Sequence, residues 1–108
     1  GFTGVHQFCR MGEGSFSAIA AIIVKDVPPF VMVEGNTARA RAVNREGLKR
    51  RGIDAEVIAD VKRAYKTLYR EGLGLNEALA KLVDNPKNPP QVLQFVEFIE
   101  CSERGIVR

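Results

Sequence analysis

The first third of the chain repeats with a period of six residues, and this period limits the folds that it can adopt. Counted in sixes, the first position is apolar except at residue 17: Val5, Met11, Ser17, Ile23 and Pro29. The fifth position is always compact: Thr3, Cys9, Ser15, Ala21, Val27 and Val33. Hexads are typical of a parallel β-helix, in which short strands stack coil upon coil. An ordinary β-meander is the alternative, but chance does not readily keep one register over five hexads.

The remainder of the chain carries helix start and stop signals instead of hexads. Four helices are predicted from caps, glycines and apolar spacing: Asn44 to Arg51, Asp54 to Gly72, Leu75 to Val83, and Asn88 to Gly105. Thr37 to Val43 is a basic connector that we expect to be irregular. We therefore divide the chain into terminal β-helix coils, residues 1–36, and a C-terminal α-helical domain, residues 37–108.

Positive charge is concentrated in one stretch. Residues 37–52 carry six basic residues and one acidic residue, a local charge of +5 in a chain whose net charge is +3. A local patch of this kind suits a phosphate-bearing ligand or an acidic partner protein. A nucleic-acid-binding face would be broader or interleaved with aromatic residues, and this stretch contains no aromatic residue. We therefore expect no nucleic-acid partner.

Several other classes of protein are disfavoured by the composition. Cys9 and Cys101 lie far apart, which argues against a disulfide framework and favours a reducing compartment. His6 is the only histidine, so no histidine-based metal site is expected, and no glycine-rich phosphate loop is present. The apolar run from 18 to 24 is too short to span a bilayer. The sequence predicts neither a metal nor a cofactor.

Five short stretches of the sequence resemble a known family. The similarity includes His6 to Arg10, Asp26 to Phe30, Gly35-Asn36, Asn44 to Gly52, and Ser102 to Arg108. In order and spacing these stretches resemble the C-terminal part of the UDP-N-acetylglucosamine O-acyltransferases that begin lipid A synthesis in Gram-negative bacteria. The motif from Asn44 to Gly52 is the more specific, because other hexapeptide transferases share the sixfold repeat but not this stretch.

The resemblance implies a fold, an activity and an assembly. The fold would be the last coils of a left-handed parallel β-helix followed by a small C-terminal α-helical bundle. The activity would be transfer of a 3-hydroxyacyl group from acyl carrier protein to the 3-hydroxyl of UDP-N-acetylglucosamine, in a cytoplasmic homotrimer. Residues 1–34 make fewer than two coils, and β-helices need about three repeats for stability. We therefore expect the natural protein to continue N-terminally, or another copy to supply the missing coils.

The resemblance also assigns roles to individual residues. In the family a histidine base lies on an earlier coil, which nothing in this chain matches, so the isolated chain is expected to be inactive. His6 is expected to be a supporting wall residue of the active site, and Gln7 a nucleotide-sugar contact. Asn44 and Glu46 match uridine- or ribose-side contacts. Arg50 and Arg51 match diphosphate contacts, a role that suits guanidinium groups because they hold phosphate oxygens bidentately.

Two further readings stay open. One is a non-catalytic trimerisation module whose basic patch docks acidic acyl carrier protein. The other is a related hexapeptide acyltransferase that acts on an amino sugar. The tract from Glu13 to Ser15, which helps to line the acyl-chain groove in the family, lies where relatives vary.

Overall fold

The computed structural model describes residues 4–5, 9–18, 21–103 and 105–108. In these residues, five strands precede four helices. The strands are β1 (Gly4–Val5), β2 (Phe16–Ser17), β3 (Ile22–Ile23), β4 (Val31–Glu34) and β5 (Arg39–Val43). The helices are α1 (Arg45–Arg50), α2 (Ala55–Tyr69), α3 (Leu75–Val83) and α4 (Pro90–Glu100).

The first four strands stack as parallel rungs on the sides of successive coils. β1 pairs with β3, and β2 pairs with β4, both in parallel. A parallel bridge between Met11 and Val27 joins the two coils on a third side. A meander would have paired these segments in antiparallel fashion. The predicted stack of parallel rungs is therefore confirmed, whereas the left hand of the coil stays a prediction.

The second coil is shorter than the first at one corner. Gly4 pairs with Ile22, a separation of eighteen residues, whereas Met11 pairs with Val27, a separation of sixteen. The chain therefore loses two residues in the corner that follows β3. The hexad frame, which assumes a constant six residues, slips at this corner.

This slip corrects the assignment of positions in the last two hexads. Val27 and Val33, predicted as compact fifth positions, stack on Met11 and Ser17, which are first positions. Both valines are completely buried, as is Ile23 at the preceding first position. The interior side chains set the register between successive coils, because each side chain that fills one coil must lie over the one in the coil below. Pro29 is therefore not a first position, although it too is buried.

Three different segments cover the last coil. On the side of β3, backbone hydrogen bonds join Ile22 to residues 35–38. On the side of the Met11–Val27 bridge, they join Asp26 to residues 105–107. On the side of β4, β5 runs antiparallel to that strand, with an irregularity between Met32 and Val33. Strand edges present unpaired N–H and C=O groups, so a coil that ends inside the protein needs such covers.

The pairing of β5 with β4 overturns one prediction. The connector from Thr37 to Val43 was expected to be irregular, yet Arg39–Val43 is a strand. Basic side chains fit an exposed edge strand, and the hydrogen-bonding need of β4 supplies the reason for the strand. The proposed boundary after residue 36 stays a prediction.

The helices match their predicted positions closely, but α2 ends at Tyr69 and not near Gly72, and both ends of α4 differ from the prediction. α3 has the predicted bounds, and Asp54 precedes α2 as its N-cap residue. The N-cap of α4 is Pro89 and not Asn88, because the Asn88 side chain donates to the Leu82 carbonyl at 2.6 Å and closes the preceding turn. α4 ends at Glu100 and not near Gly105, because residues 105–107 pair with Asp26.

The rungs and the helices share one hydrophobic core. α2, α3 and α4 contact one another, and α2 also contacts α1 and β5. The three longer helices direct apolar stripes inward, with Ile58, Val61 and Leu68 from α2 buried. The buried side chains of both regions form a single contiguous cluster. No described helix combines the length and the apolar character needed to cross a membrane.

Candidate functional site

Asn44 is held at the start of α1 by three hydrogen bonds. Its Oδ1 accepts from the Gly47 N–H at 3.1 Å, the N-cap interaction that the sequence predicts. Its Nδ2 donates to the Gly14 carbonyl at 3.0 Å, and its backbone N–H donates to the Phe30 carbonyl at 2.6 Å. The side chain therefore joins the helix to the first coil.

Arg51 forms the opposite end of the same short helix. It is the C-cap residue of α1, and its Nη1 lies 3.0 Å from Glu13 Oε1. The Arg51 side chain remains 42% exposed, so part of its guanidinium faces solvent. Its charge is only partly compensated, because an exposed ion pair of this kind is weak.

Glu13 links this helix end to α4. Its Oε2 accepts a hydrogen bond from Gln94 Nε2, while its Oε1 faces Arg51. The pKa of Glu13 is lowered, first by the hydrogen bond from Gln94 and then by the charge of Arg51. The carboxylate is therefore ionised at neutral pH and orients both partners.

The turn that carries Glu13 and Gly14 supports both ends of α1. Gly14 has φ +70°, and a Cβ there would lie 2.8 Å from Cδ1 of Phe30. Only glycine fits this backbone conformation and this space without strain. The same turn thus receives Asn44 on the Gly14 carbonyl and Arg51 on the Glu13 carboxylate. The first coil fixes the placement of both residues.

Gly47 makes room inside α1 for this arrangement. A Cβ at this position would lie 2.5 Å from Asn44 Nδ2. Glycine weakens a helix interior, so its presence here needs a local reason. The close approach of the Asn44 side chain provides that reason.

The structure brings together only some of the predicted site residues. Asn44 and Arg51 meet at one turn, whereas Glu46 and Arg50 are exposed on α1. His6 and Gln7 lie outside the described residues, so their predicted roles stay predictions. The described part of the chain contains no histidine.

A cavity of about 330 Å³ opens beside Glu13, between the first coil and α4. Its wall includes Arg10, Glu13, Gln94 and Phe98. The Arg10 guanidinium carbon lies 4.5 Å from the centre of the Phe98 ring, a cation–π contact that packs the coil against the helix. The cavity mixes cations and carboxylates, so it has no single electrostatic preference.

Sequence reasoning missed Glu13 and Gln94 as parts of this arrangement. Glu13 is the only acidic residue among residues 1–24. An isolated carboxylate beside a glycine, in a protein with an arginine cluster downstream, was a usable signal. Gln94 gave no comparable signal, because it is one polar residue on an amphipathic helix.

The comparison with protein families shows to which family the chain is related. The model of the family described as Udp N-acetylglucosamine O-acyltransferase, domain 2, matches residues 26–107. The chain belongs to this family. The matched range contains α1 and the whole helical region, but not the turn with Glu13 and Gly14.

Curated relatives carry the same family name. The chain is 50% identical over 108 residues to the acyl-[acyl-carrier-protein]–UDP-N-acetylglucosamine O-acyltransferase of Thiobacillus denitrificans, and 51% identical over 108 residues to that of Pseudomonas syringae pv. syringae. Both alignments cover 100% of this chain and 42% of the relative. The chain therefore spans about two fifths of the length of these relatives.

Solved structures of family members share the fold. The UDP-N-acetylglucosamine acyltransferase of Francisella novicida is 44% identical, with a TM-score of 0.91 over 98% of this chain and 39% of that chain. The Arabidopsis enzyme is 29% identical, with a TM-score of 0.90 over 98% of this chain and 40% of that chain. The backbone arrangement is thus retained while most side chains differ.

Proposed function

We propose that this chain is the C-terminal part of an O-acyltransferase that acts on UDP-N-acetylglucosamine. The reaction transfers a 3-hydroxyacyl group from acyl carrier protein to the sugar 3-hydroxyl, the first step of lipid A synthesis. Membership of the family and the names of the relatives support this assignment. The working enzyme is a cytoplasmic homotrimer built on a left-handed β-helix, and a neighbouring subunit completes its site.

The role of this chain is to hold the nucleotide end of the substrate. Asn44 and Glu46 contact the uridine side, and Arg50 and Arg51 contact the diphosphate. The observation that supports this role is the pairing of Asn44 and Arg51 with one turn, which leaves the Arg51 guanidinium partly open to solvent. A diphosphate offers several oxygens to such a guanidinium fork. His6 serves as a supporting active-site residue, and Gln7 as a nucleotide-sugar contact.

Substrate binding by the full-length protein tests the site. Arg50→Ala and Arg51→Ala should each weaken UDP-N-acetylglucosamine binding about tenfold or more, because a hydrogen bond to a charged group contributes about 1.5–3 kcal/mol. Lys49→Ala, which removes the same charge from an exposed neighbouring position, is the matched control. Titration calorimetry gives all three affinities. Unchanged affinity in both arginine variants would contradict the assignment.

The reaction itself provides a second test. The described residues include no histidine, and the resemblance implies that the family's histidine base lies on an earlier coil. The 108-residue chain should therefore show no acyl transfer with 3-hydroxyacyl carrier protein and UDP-N-acetylglucosamine. Turnover by the purified chain would show that the base lies within it.

A further inference from the structure

A basic groove of about 550 Å³ runs between β5 and α2. Its rim carries six cationic residues: Arg41, Arg45, Lys62, Arg63, Lys66 and Arg70. Its floor is apolar and includes Val43, Ala59 and the Tyr65 ring. None of the described residues that line the groove is acidic.

Two segments distant in sequence build this rim. Arg41 and Arg45 belong to the basic stretch that the sequence reveals, whereas Lys62, Arg63 and Lys66 come from α2 and Arg70 is its C-cap residue. The pairing of β5 with β4, together with the contact of α2 with β5, brings both sets to one side. The groove therefore concentrates more positive charge than either segment alone.

Only part of this charge is compensated within the described chain. Arg41 pairs with Glu34 at 2.9 Å, and Arg63 pairs with Asp60 one helical turn away. Both pairs are exposed and contribute little screening. Lys62 and Lys66 make no ion pair with a described residue, and they lie four residues apart on one helix, where like charges repel. A carboxylate that entered the groove would relieve this repulsion.

Arg70 is held in place as part of the groove. Its Nη2 donates to the Arg41 carbonyl at 3.2 Å, and its guanidinium carbon lies 5.9 Å from the centre of the Tyr65 ring. The residue thus links the end of α2 to β5 and positions one cation beside the apolar floor. A surface with fixed cations above an apolar floor matches a helix that has acidic flanks and an apolar stripe.

We propose that this basic groove is the docking surface for an acidic, amphipathic helix of a partner protein. The choice of acyl carrier protein as that partner rests on the proposed function. Arg45, on the rim, follows Asn44 directly, so a carrier in the groove stands next to the nucleotide site. A nucleic acid fits less well, because the floor is apolar and Tyr65 is buried and not available for stacking on bases.

Charge reversal on α2 tests the proposal in the full-length protein. Lys62→Glu/Lys66→Glu should weaken binding of acyl carrier protein about tenfold or more, and the wild-type affinity should fall as NaCl is raised, because rim charges steer association. Lys25→Glu/Lys87→Glu makes the same change of charge at exposed lysines outside the groove and should change the affinity less than twofold. Surface plasmon resonance measures these affinities.

Binding of UDP-N-acetylglucosamine separates this proposal from the proposed function. The groove variant should bind the nucleotide sugar as the wild type does, since neither lysine is among the residues proposed to contact it. Equal loss of carrier binding in both double variants would overturn the groove assignment, as would no loss in either. Salt-sensitive carrier binding that depends on the groove, without any UDP-sugar binding, would support the groove and contradict the proposed function.

Discussion

The Asp26 carboxylate accepts a hydrogen bond from the Ser102 hydroxyl at 2.7 Å, across a separation of 76 residues. The other carboxylate oxygen accepts from the Arg10 N–H at 2.7 Å, so one buried side chain joins both coils to the segment after α4. Backbone pairing of Asp26 with residues 105–107 adds to this link. Asp26 is therefore the point at which the C-terminal segment is fastened to the last coil.

The first prediction concerns this fastening. Ser102→Ala should lower the free energy of unfolding by about 1–3 kcal/mol, because it leaves one oxygen of a buried carboxylate without its donor. Ser15→Ala, at a half-buried hydroxyl without a hydrogen bond to the described residues, should change stability by no more than about 0.5 kcal/mol. Urea unfolding of the same chain provides both values. Equal stability of the two variants would refute a structural role for the Ser102 contact.

The second prediction concerns Gly47. Alanine normally stabilises a helix interior relative to glycine by about 1 kcal/mol. Gly47→Ala should instead destabilise the protein, because its Cβ would lie 2.5 Å from Asn44 Nδ2 and displace the side chain that reaches Gly14. Thermal unfolding shows the sign. Gly74→Ala is the control, since the nearest atom to its Cβ would be 4.0 Å away. A higher stability of Gly47→Ala would show that the Asn44 side chain can move aside without loss of stability.

The third prediction concerns the pKa of Glu13. Replacing Gln94 by Ala should raise this pKa toward the usual carboxyl value, because the hydrogen bond from Gln94 is the first cause of its depression. Arg51→Ala should raise the pKa as well, because both the charge of Arg51 and its hydrogen bond lower it. Carboxyl chemical shifts followed by NMR during acid titration measure it in each variant. An unchanged pKa of Glu13 in Gln94→Ala would contradict the assigned cause.

The sign of the pH dependence follows from this depressed pKa. The ionised Glu13 is favoured in the folded state, so its contribution to stability is present above the usual carboxyl pKa. The contribution disappears as the pH falls through the lower, folded-state pKa. Glu13→Gln should therefore flatten the acid limb of the stability curve, measured by thermal unfolding at a series of pH values.

The fourth prediction concerns alkaline pH. Burial raises the pKa of Tyr69, and the nearby Tyr65 adds to the effect while Arg108 opposes it. The Tyr69 hydroxyl donates to the Val107 carbonyl at 2.8 Å, which holds the C-terminal segment against α2. A raised pKa means that the stabilisation is complete below the usual tyrosine pKa, about 10, and is lost as the pH rises beyond it.

Tyr69→Phe tests this alkaline dependence. The variant should be less stable at neutral pH by about 0.5–1.5 kcal/mol, the usual net contribution of one hydrogen bond. Its stability should also fall less steeply than that of the wild type at alkaline pH, as measured by urea unfolding across the range. Parallel pH profiles for the two proteins would show that Tyr69 does not titrate with unfolding.

Local chemistry made much of the fold predictable. Hexads with compact residues predict stacked rungs because a coil can turn only where side chains are small, and the rungs are present. The cap at Asn44 and the bounds of α3 were likewise readable, because caps and apolar stripes act over a few residues. The resemblance, whose family membership is confirmed, came from short motifs of the same kind.

Long-range pairing decided the rest. The strand at Arg39–Val43 exists because β4 needs a partner, and the end of α4 is set by the pairing of residues 105–107 with Asp26. The two-residue slip after β3 arises because interior side chains must stack, which a constant hexad count cannot show.

The arrangement of the candidate site was likewise only partly predictable from the sequence. The sequence by itself determined that Asn44 and Arg51 flank one short helix, because capping and helix length are local properties. Only the tertiary structure decided that both reach the turn at Glu13 and Gly14, and that Gln94 completes the arrangement. These contacts join residues that lie between 30 and 81 positions apart, and no local pattern encodes such distances.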